Sequence, residues 1–262
     1  MAVRHTVSAY PAAPSWISLN ANELDTALEF YGPLMGWSFR PGPERWGPYM
    51  RAEVDGIPVA GIGTGGHRQL NLPVSWTTYF GIEDIEASVR DIHDRGGTVA
   101  VGPLTVSTGR ILIAADPTGT PFGVWEGRPG IGDRPLGPGL PVTVELRTPD
   151  PFAAAMFYAE VFRWDDRDPE RFEVRWEHNR VLLRVDGLPT ASLRSSRTPS
   201  HRWDVYFTVG DVEKCSAHAE RLGGTVLEGP LVSPYGIVAR LRDPEGGEFL
   251  VTAAQESGRP ED

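Results

Sequence analysis

The chain has 262 residues, 40% of them hydrophobic and 23% charged, with a formal net charge of -10. This is the balance of a globular protein with one large domain or two of about 130 residues. The acidic sign excludes a nucleic-acid binder, whose affinity would come from Lys and Arg on phosphates. The lone cysteine, Cys215, excludes an intrachain disulfide.

The N-terminal stretch MAVRHTVSAYPAAP has no apolar run for a signal peptide. No segment reaches the ~20 apolar residues of a membrane span. The expected location is the cytoplasm, with neither membrane nor nucleic acid as partner. WISLN (Trp16 to Asn20) alternates as a strand does, and ELDTALEFYGPLM reads as a helix with Leu24, Ala27, Leu28 and Tyr31 on one face. PYMRAEV and PVAGIG follow as short strands around a turn at Asp55-Gly56. The pattern then restarts. SWTTYFGI is a strand, IEASVRDIHDRG is a helix ending at Gly96, and TVAVG, GRILIAAD and PFGVWE are strands.

The second half repeats the first. Phe30-Tyr31 and Phe157-Tyr158 are 127 residues apart, and the same offset relates Trp37 to Trp164, Trp76 to Trp203 and Asp116-Pro117 to Asp243-Pro244. It also relates Gly96-Gly97-Thr98-Val99 to Gly223-Gly224-Thr225-Val226. VDGIP at Val54 and VDGLP at Val185 differ by 131, so the second copy gains four residues in a connection and loses them later. The Pro- and Gly-rich GRPGIGDRPLGPGLP lies between the copies. The reading is α+β: a domain over residues 14–126, a linker over 127–140 and a second domain over 141–254, each βαβββ-βαβββ. In the second copy Asp150 or Thr148 caps the first helix, with Pro149 or Pro151 in its first turn.

These stretches resemble the vicinal oxygen chelate superfamily, which includes glyoxalase I, bleomycin-resistance proteins and extradiol dioxygenases. Within it the chain is similar to tandem glyoxalase-like proteins of actinobacteria. The resemblance rests on FY-x5-W, on the strand followed by Asp84 or Asp211, and on GGTV…GP…DP-x-G; it runs from Trp16 to Thr252. It implies that each pair of βαβββ modules curls into a partly open barrel around a cleft. In metal-dependent members, His or Glu ligands point into that cleft. Aligned on the Phe-Tyr pairs, the ligand positions hold Trp16, Thr77 and Gly123 in the first copy and Thr143, Asp204 and Leu250 in the second. Indole, hydroxyl and glycine do not replace the N and O donors of a metal centre. No metal and no other cofactor is therefore expected. Same-face alternation nevertheless leaves Glu145, Asp204 and Glu248 as a possible carboxylate trio for a hard cation.

The first cleft is expected to be aromatic, with ligand-binding candidates Trp16, Ser18, Trp46, Tyr49, Thr77, Tyr79 and Trp125. Gly61, Gly63, Gly65 and Gly66 are expected to leave room beside it. The second cleft is expected to be polar. Glu145, Asp204 and Tyr206 are its candidate acid-base groups, and Arg147 and Glu248 its candidate binding groups. None of the six histidines falls on a ligand position, and His218, three residues after Cys215, shares a helix with it. The leading function is metal-independent binding or processing of a small aromatic natural product in secondary metabolism or self-resistance. The alternatives are a metal-independent tailoring enzyme (a lyase, isomerase or oxygenase) and a metal-dependent lyase or dioxygenase using the carboxylates of the second cleft. Duplication within one chain suits a monomer, with a homodimer as the other arrangement.

Overall fold

The computed structural model describes residues 6–7, 11–42, 47–65, 72–127, 134–135, 138–177, 179–198, 202–233 and 236–253. A two-residue strand, β1 (Thr6–Val7), precedes the first copy. That copy runs β2 (Pro14–Asn20), α1 (Leu24–Met35), β3 (Ser38–Pro41), β4 (Tyr49–Val54), β5 (Ile57–Gly63), β6 (Ser75–Ile82), α2 (Ile85–Asp94), β7 (Thr98–Val106), β8 (Gly109–Ala115) and β9 (Pro121–Gly127). The connection carries β10 (Arg134–Pro135), which pairs with β1. A segment expected to be a featureless linker is thus held at one point to the N-terminal region. The second copy runs β11 (Pro141–Thr148), α3 (Pro151–Phe162), a 3-10 turn at Trp164–Asp166, β12 (Phe172–Glu177), β13 (Arg180–Val185), β14 (Leu188–Ser195), β15 (Trp203–Val209), α4 (Val212–Arg221), β16 (Thr225–Ser233), β17 (Gly236–Arg242) and β18 (Glu248–Ala253).

Each copy forms one open eight-stranded mixed sheet. The orders are β3-β4-β5-β2-β6-β9-β8-β7 and β12-β13-β14-β11-β15-β18-β17-β16. The two modules of a copy meet where β2 runs antiparallel to β6, and β11 to β15. Alternation sets the faces. Ile17 and Leu19 are buried towards the helices, while Trp16 and Ser18 point to the other side.

The helix ends follow from local chemistry. Asp150 caps α3 through Oδ1, accepting from the N–H groups of Phe152 (3.0 Å) and Ala153 (2.9 Å), with Pro151 in the first turn. The side chain of Glu23 does not cap α1. One of its free N–H groups, that of Glu23, is met from the other copy by the Glu245 carboxylate (2.9 Å), which also accepts from Asn22 just before the helix (3.1 Å).

The motifs that mark the repeat converge on the joint between the copies. There α1 packs against α4, and α2 against α3. The Tyr31 hydroxyl donates to Asp243 Oδ2 (2.9 Å) and accepts from Trp76 Nε1 (3.1 Å). By the same pattern Tyr158 donates to Asp116 Oδ2 (3.0 Å) and accepts from Trp203 Nε1 (3.1 Å). A Cβ on Gly97 would stand 3.0 Å from the Phe157 ring, and one on Gly224 would stand 2.8 Å from Phe30, so each Gly-Gly pair makes room for the other copy's Phe. Burial pushes both tyrosines well above the ordinary phenol range, and the facing aspartates add to the shift. These hydroxyls act as fixed donors within one continuous core.

Candidate functional site

The faces of the two sheets turned away from the joint form two clefts built on one register. In the first, Trp16 lies opposite Tyr79, Ser18 opposite Thr77 and beside Gly61, and Tyr79 beside Gly123. Trp125 meets Trp16 and Tyr79 edge-on, with ring centroids 6.3 and 5.9 Å away. Trp16 is buried, and its indole N–H donates to the Tyr49 hydroxyl (3.0 Å). Burial raises the Tyr49 phenol despite hydrogen bonds to Ser18 and Trp16, and burial raises Tyr79 further.

The room expected beside Gly61 and Gly63 is taken. A Cβ on Gly61 would lie 1.7 Å from the Tyr49 hydroxyl, and one on Gly63 would lie 2.7 Å from the same ring. The glycines are there because the Tyr49 ring lies flat over them. Gly123 serves Tyr79 likewise, with a Cβ 2.1 Å from its ring. Gly66 and Trp46 lie outside the described residues. Tyr49, Thr77 and Trp125 remain half-buried along the cleft. The Trp125 indole N–H is buried and has no acceptor among the described residues.

The second cleft places ions on the same register. Glu145 stands opposite Asp204 and beside Ser192. At 1% exposure, Glu145 accepts from Arg194 Nη2 (3.0 Å), the Tyr206 hydroxyl (3.3 Å) and Ser192 Oγ (3.3 Å). At 2% exposure, Asp204 is gripped in bidentate fashion by Arg240 Nη1 (3.0 Å) and Nη2 (2.8 Å). Arg147 Nε and Arg202 Nε approach it at 3.3 Å each. Glu248 pairs with Arg202 and with Arg242 (3.1 Å). Arg240 is itself only 7% exposed. Burial alone would lower its pKa, but hydrogen bonds and charge from Asp204, with Glu248 behind, hold it above the ordinary value. Thr143 is 5% exposed, and its hydroxyl has no partner among the described residues.

The structure therefore brings Glu145, Asp204, Tyr206, Arg147 and Glu248 into one network, and Trp16, Ser18, Tyr49, Thr77, Tyr79 and Trp125 into another. Sequence reasoning missed Arg240, Arg194, Arg202 and Ser192. Arg240 was findable, since it pairs with Leu250, a residue already counted as facing inward. The carboxylates do not fit a metal centre as arranged. Both Asp204 oxygens are committed to guanidinium groups, and Thr143 and Leu250, at the other ligand positions of that copy, supply neither imidazole nor carboxylate. No cluster of three or more His, Cys, Asp or Glu suited to a metal occurs among the described residues. Cys215 lies apart from both clefts, with burial pushing its thiol up to about 11. No described helix is long and apolar enough to cross a membrane.

A duplicated βαβββ pair forming an open sheet around a cleft is the vicinal oxygen chelate fold. Solved structures that share it include the following two. The 2,3-dioxygenase LapB of Pseudomonas sp. KL28 has a TM-score of 0.63 at 13% identity, over 97% of this chain and 96% of that one. The Mn(II)-bound glyoxalase of Novosphingobium aromaticivorans has a TM-score of 0.62 at 15% identity, over 95% and 84%. The glyoxalase-like domain model matches residues 142–252. The anthracycline biosynthesis protein DauV of Streptomyces sp. strain C5 is 31% identical over 94% of this chain and 95% of its own length. DnrV of Streptomyces peucetius, likewise an anthracycline biosynthesis protein, is 30% identical over 94% of each. The chain belongs to this family of tandem glyoxalase-like proteins.

Proposed function

We propose that the chain acts in secondary metabolism by holding a flat aromatic natural product in its first cleft, without a metal. The observation that carries this reading is the wall of Trp16, Tyr49, Tyr79 and Trp125 around the buried Trp125 indole N–H, which lacks an acceptor among the described residues. Aromatic rings along the cleft favour a flat aromatic ligand. An unmet buried donor costs about 1–3 kcal/mol, which a ligand carbonyl or phenol oxygen would relieve. The relatives' role in anthracycline biosynthesis supports a polycyclic aromatic ligand. The joint between the copies already lies within one chain, which supports a monomer, and the single cysteine supports a reducing cytoplasm. The test is calorimetric titration with polycyclic phenols and quinones before and after EDTA dialysis. Binding that survives EDTA and is lost in Trp125→Ala is expected. Binding that needs a metal, or is indifferent to Trp125, ends the reading.

A second reading is a metal-independent tailoring enzyme working in the second cleft. It is favoured by the Tyr206 hydroxyl on Glu145 beside the Thr143 hydroxyl, which has no partner among the described residues. Tyr206 would transfer a proton to or from bound substrate with Glu145 as its partner, while Asp204 orients the arginines. Turnover that persists unchanged in Tyr206→Phe rules this out.

A further inference from the structure

On the helix side of the second copy, away from both clefts, α3 and β12 enclose a groove of about 430 Å³. Its rim carries large exposed apolar side chains: Met156 at 47% and Trp176 at 54%, with Phe152 at 61% standing 5.3 Å from the Trp176 ring. The first copy shows why the groove exists. By register, Phe39 there takes the place of Val174. Its ring presses on Gly32, where a Cβ would be 3.1 Å away, and so fills the space. In the second copy the corresponding pair is Val174 and Ala159, which leaves the space open. The offset of 127 also sets Phe152 against Asp25 and Met156 against Glu29, so the first copy covers this face with charge and the second exposes apolar surface.

The polar wall is acidic. Glu160 pairs with Arg95 (3.0 Å), and Arg163 is turned to Asp91 (3.6 Å). Asp165 and Asp166, on the 3-10 turn at the groove's edge, have no ion pair among the described residues. We propose that this groove is a second ligand site, for a flat aromatic cation. The ring system lies on Trp176 and Met156, and the positive charge faces Asp165 and Asp166. The volume lies at the lower end of small-ligand pockets, which run from about 300 to 1,000 Å³. The net charge of -10 draws cations towards the surface.

The experiment titrates the full chain calorimetrically with ethidium and with uncharged phenanthridine at low salt. Ethidium is expected to bind about tenfold more tightly, and the advantage to shrink to about twofold in Asp165→Asn/Asp166→Asn or at high salt. Val174→Phe, which supplies the first copy's ring, and Trp176→Ala are each expected to weaken both probes about tenfold or more. Trp176 is exposed, so its variant decides the matter should Val174→Phe fold poorly. Equal affinity for the two probes, or ethidium binding untouched by Trp176→Ala, overturns the proposal. So does ethidium binding lost in Trp125→Ala alone, which places the probe in the first cleft. Light scattering that shows a dimer dissolved by Trp176→Ala also overturns it, by making the face a self-association surface.

Discussion

The two clefts occupy the same register and hold opposite chemistry. Where Trp16, Ser18, Thr77, Ile113 and Gly123 stand in the first copy, Thr143, Glu145, Asp204, Arg240 and Leu250 stand in the second. In the hydrogen bonds of the joint the copies instead agree: Tyr31 with Tyr158, Trp76 with Trp203, and Asp116 with Asp243. The joint is self-referential, since each copy's tyrosine needs the other copy's aspartate. A change there must be matched across two copies at once. A cleft answers only to its own neighbours, so one could fill with rings and the other with ions while the scaffold stayed fixed.

The largest expected effect tests the ionic half. Arg240→Ala leaves Asp204 buried without its bidentate partner, and a loss of about 3–5 kcal/mol is expected in urea unfolding. Ile113→Ala, at the same register in the first copy, removes a half-buried side chain and should cost no more than about 2 kcal/mol. Equal losses would show that desolvated charge is not what distinguishes the second cleft.

The scaffold was legible because its residues recur at one offset, and recurrence needs no knowledge of contact. The repeat marked Tyr31, Trp76 and Asp116 without revealing that each copy's tyrosine bonds to the other copy's aspartate. A tandem offset records equivalence, whereas that contact crosses between copies. The clefts were half legible. Alternation placed Glu145, Asp204 and Tyr206 together, as found. It could not show that Tyr49 lies flat over Gly61 and Gly63, because a glycine reads as space until a neighbour's ring direction is known. Arg194 and Arg202 sit at strand ends, where side-chain reach decides the partner and sequence position does not.

Next in size is the joint. Tyr31→Phe and Tyr158→Phe each strand a buried indole N–H and remove a donor from a buried aspartate. Each should cost about 1–3 kcal/mol, and the two losses should match to within about 0.5 kcal/mol. A large inequality would break the view that the copies are equivalent at the joint. Gly61→Ala follows. Its Cβ would collide with the Tyr49 hydroxyl, so the ring must swing off β5 and release the Trp16 N–H. A loss of about 1–3 kcal/mol is expected, with Tyr49 newly open to nitration. Ser192→Ala, its counterpart, gives up a 3.3 Å bond to Glu145 and should cost about 0.5–1.5 kcal/mol.

The smallest effect concerns a turn at the joint where the copies differ. Asp116-Pro-Thr118 in the first copy becomes Asp243-Pro-Glu245 in the second. Thr118 serves its own turn, donating to Asp116 Oδ1 (2.7 Å), whereas Glu245 reaches across to cap α1. Burial raises Asp243 above the ordinary carboxylate range. The Gly247 N–H and the Tyr31 hydroxyl oppose that shift, and the Glu245 charge adds to it. A carboxyl that holds its proton more tightly folded than unfolded contributes stability below the unfolded pKa of about 3.9. That contribution is lost as pH rises through the folded value. Glu245→Thr removes the nearby charge, so Asp243 should titrate lower and less stability should be lost on going from acid to neutral pH. Against this, the cap on α1 disappears, at about 0.5–1 kcal/mol. Urea unfolding of both proteins from pH 4 to 7 should therefore give curves that converge towards neutrality. A constant gap across that range would mean that Asp243 does not feel Glu245, leaving the cap as the only consequence of the exchange.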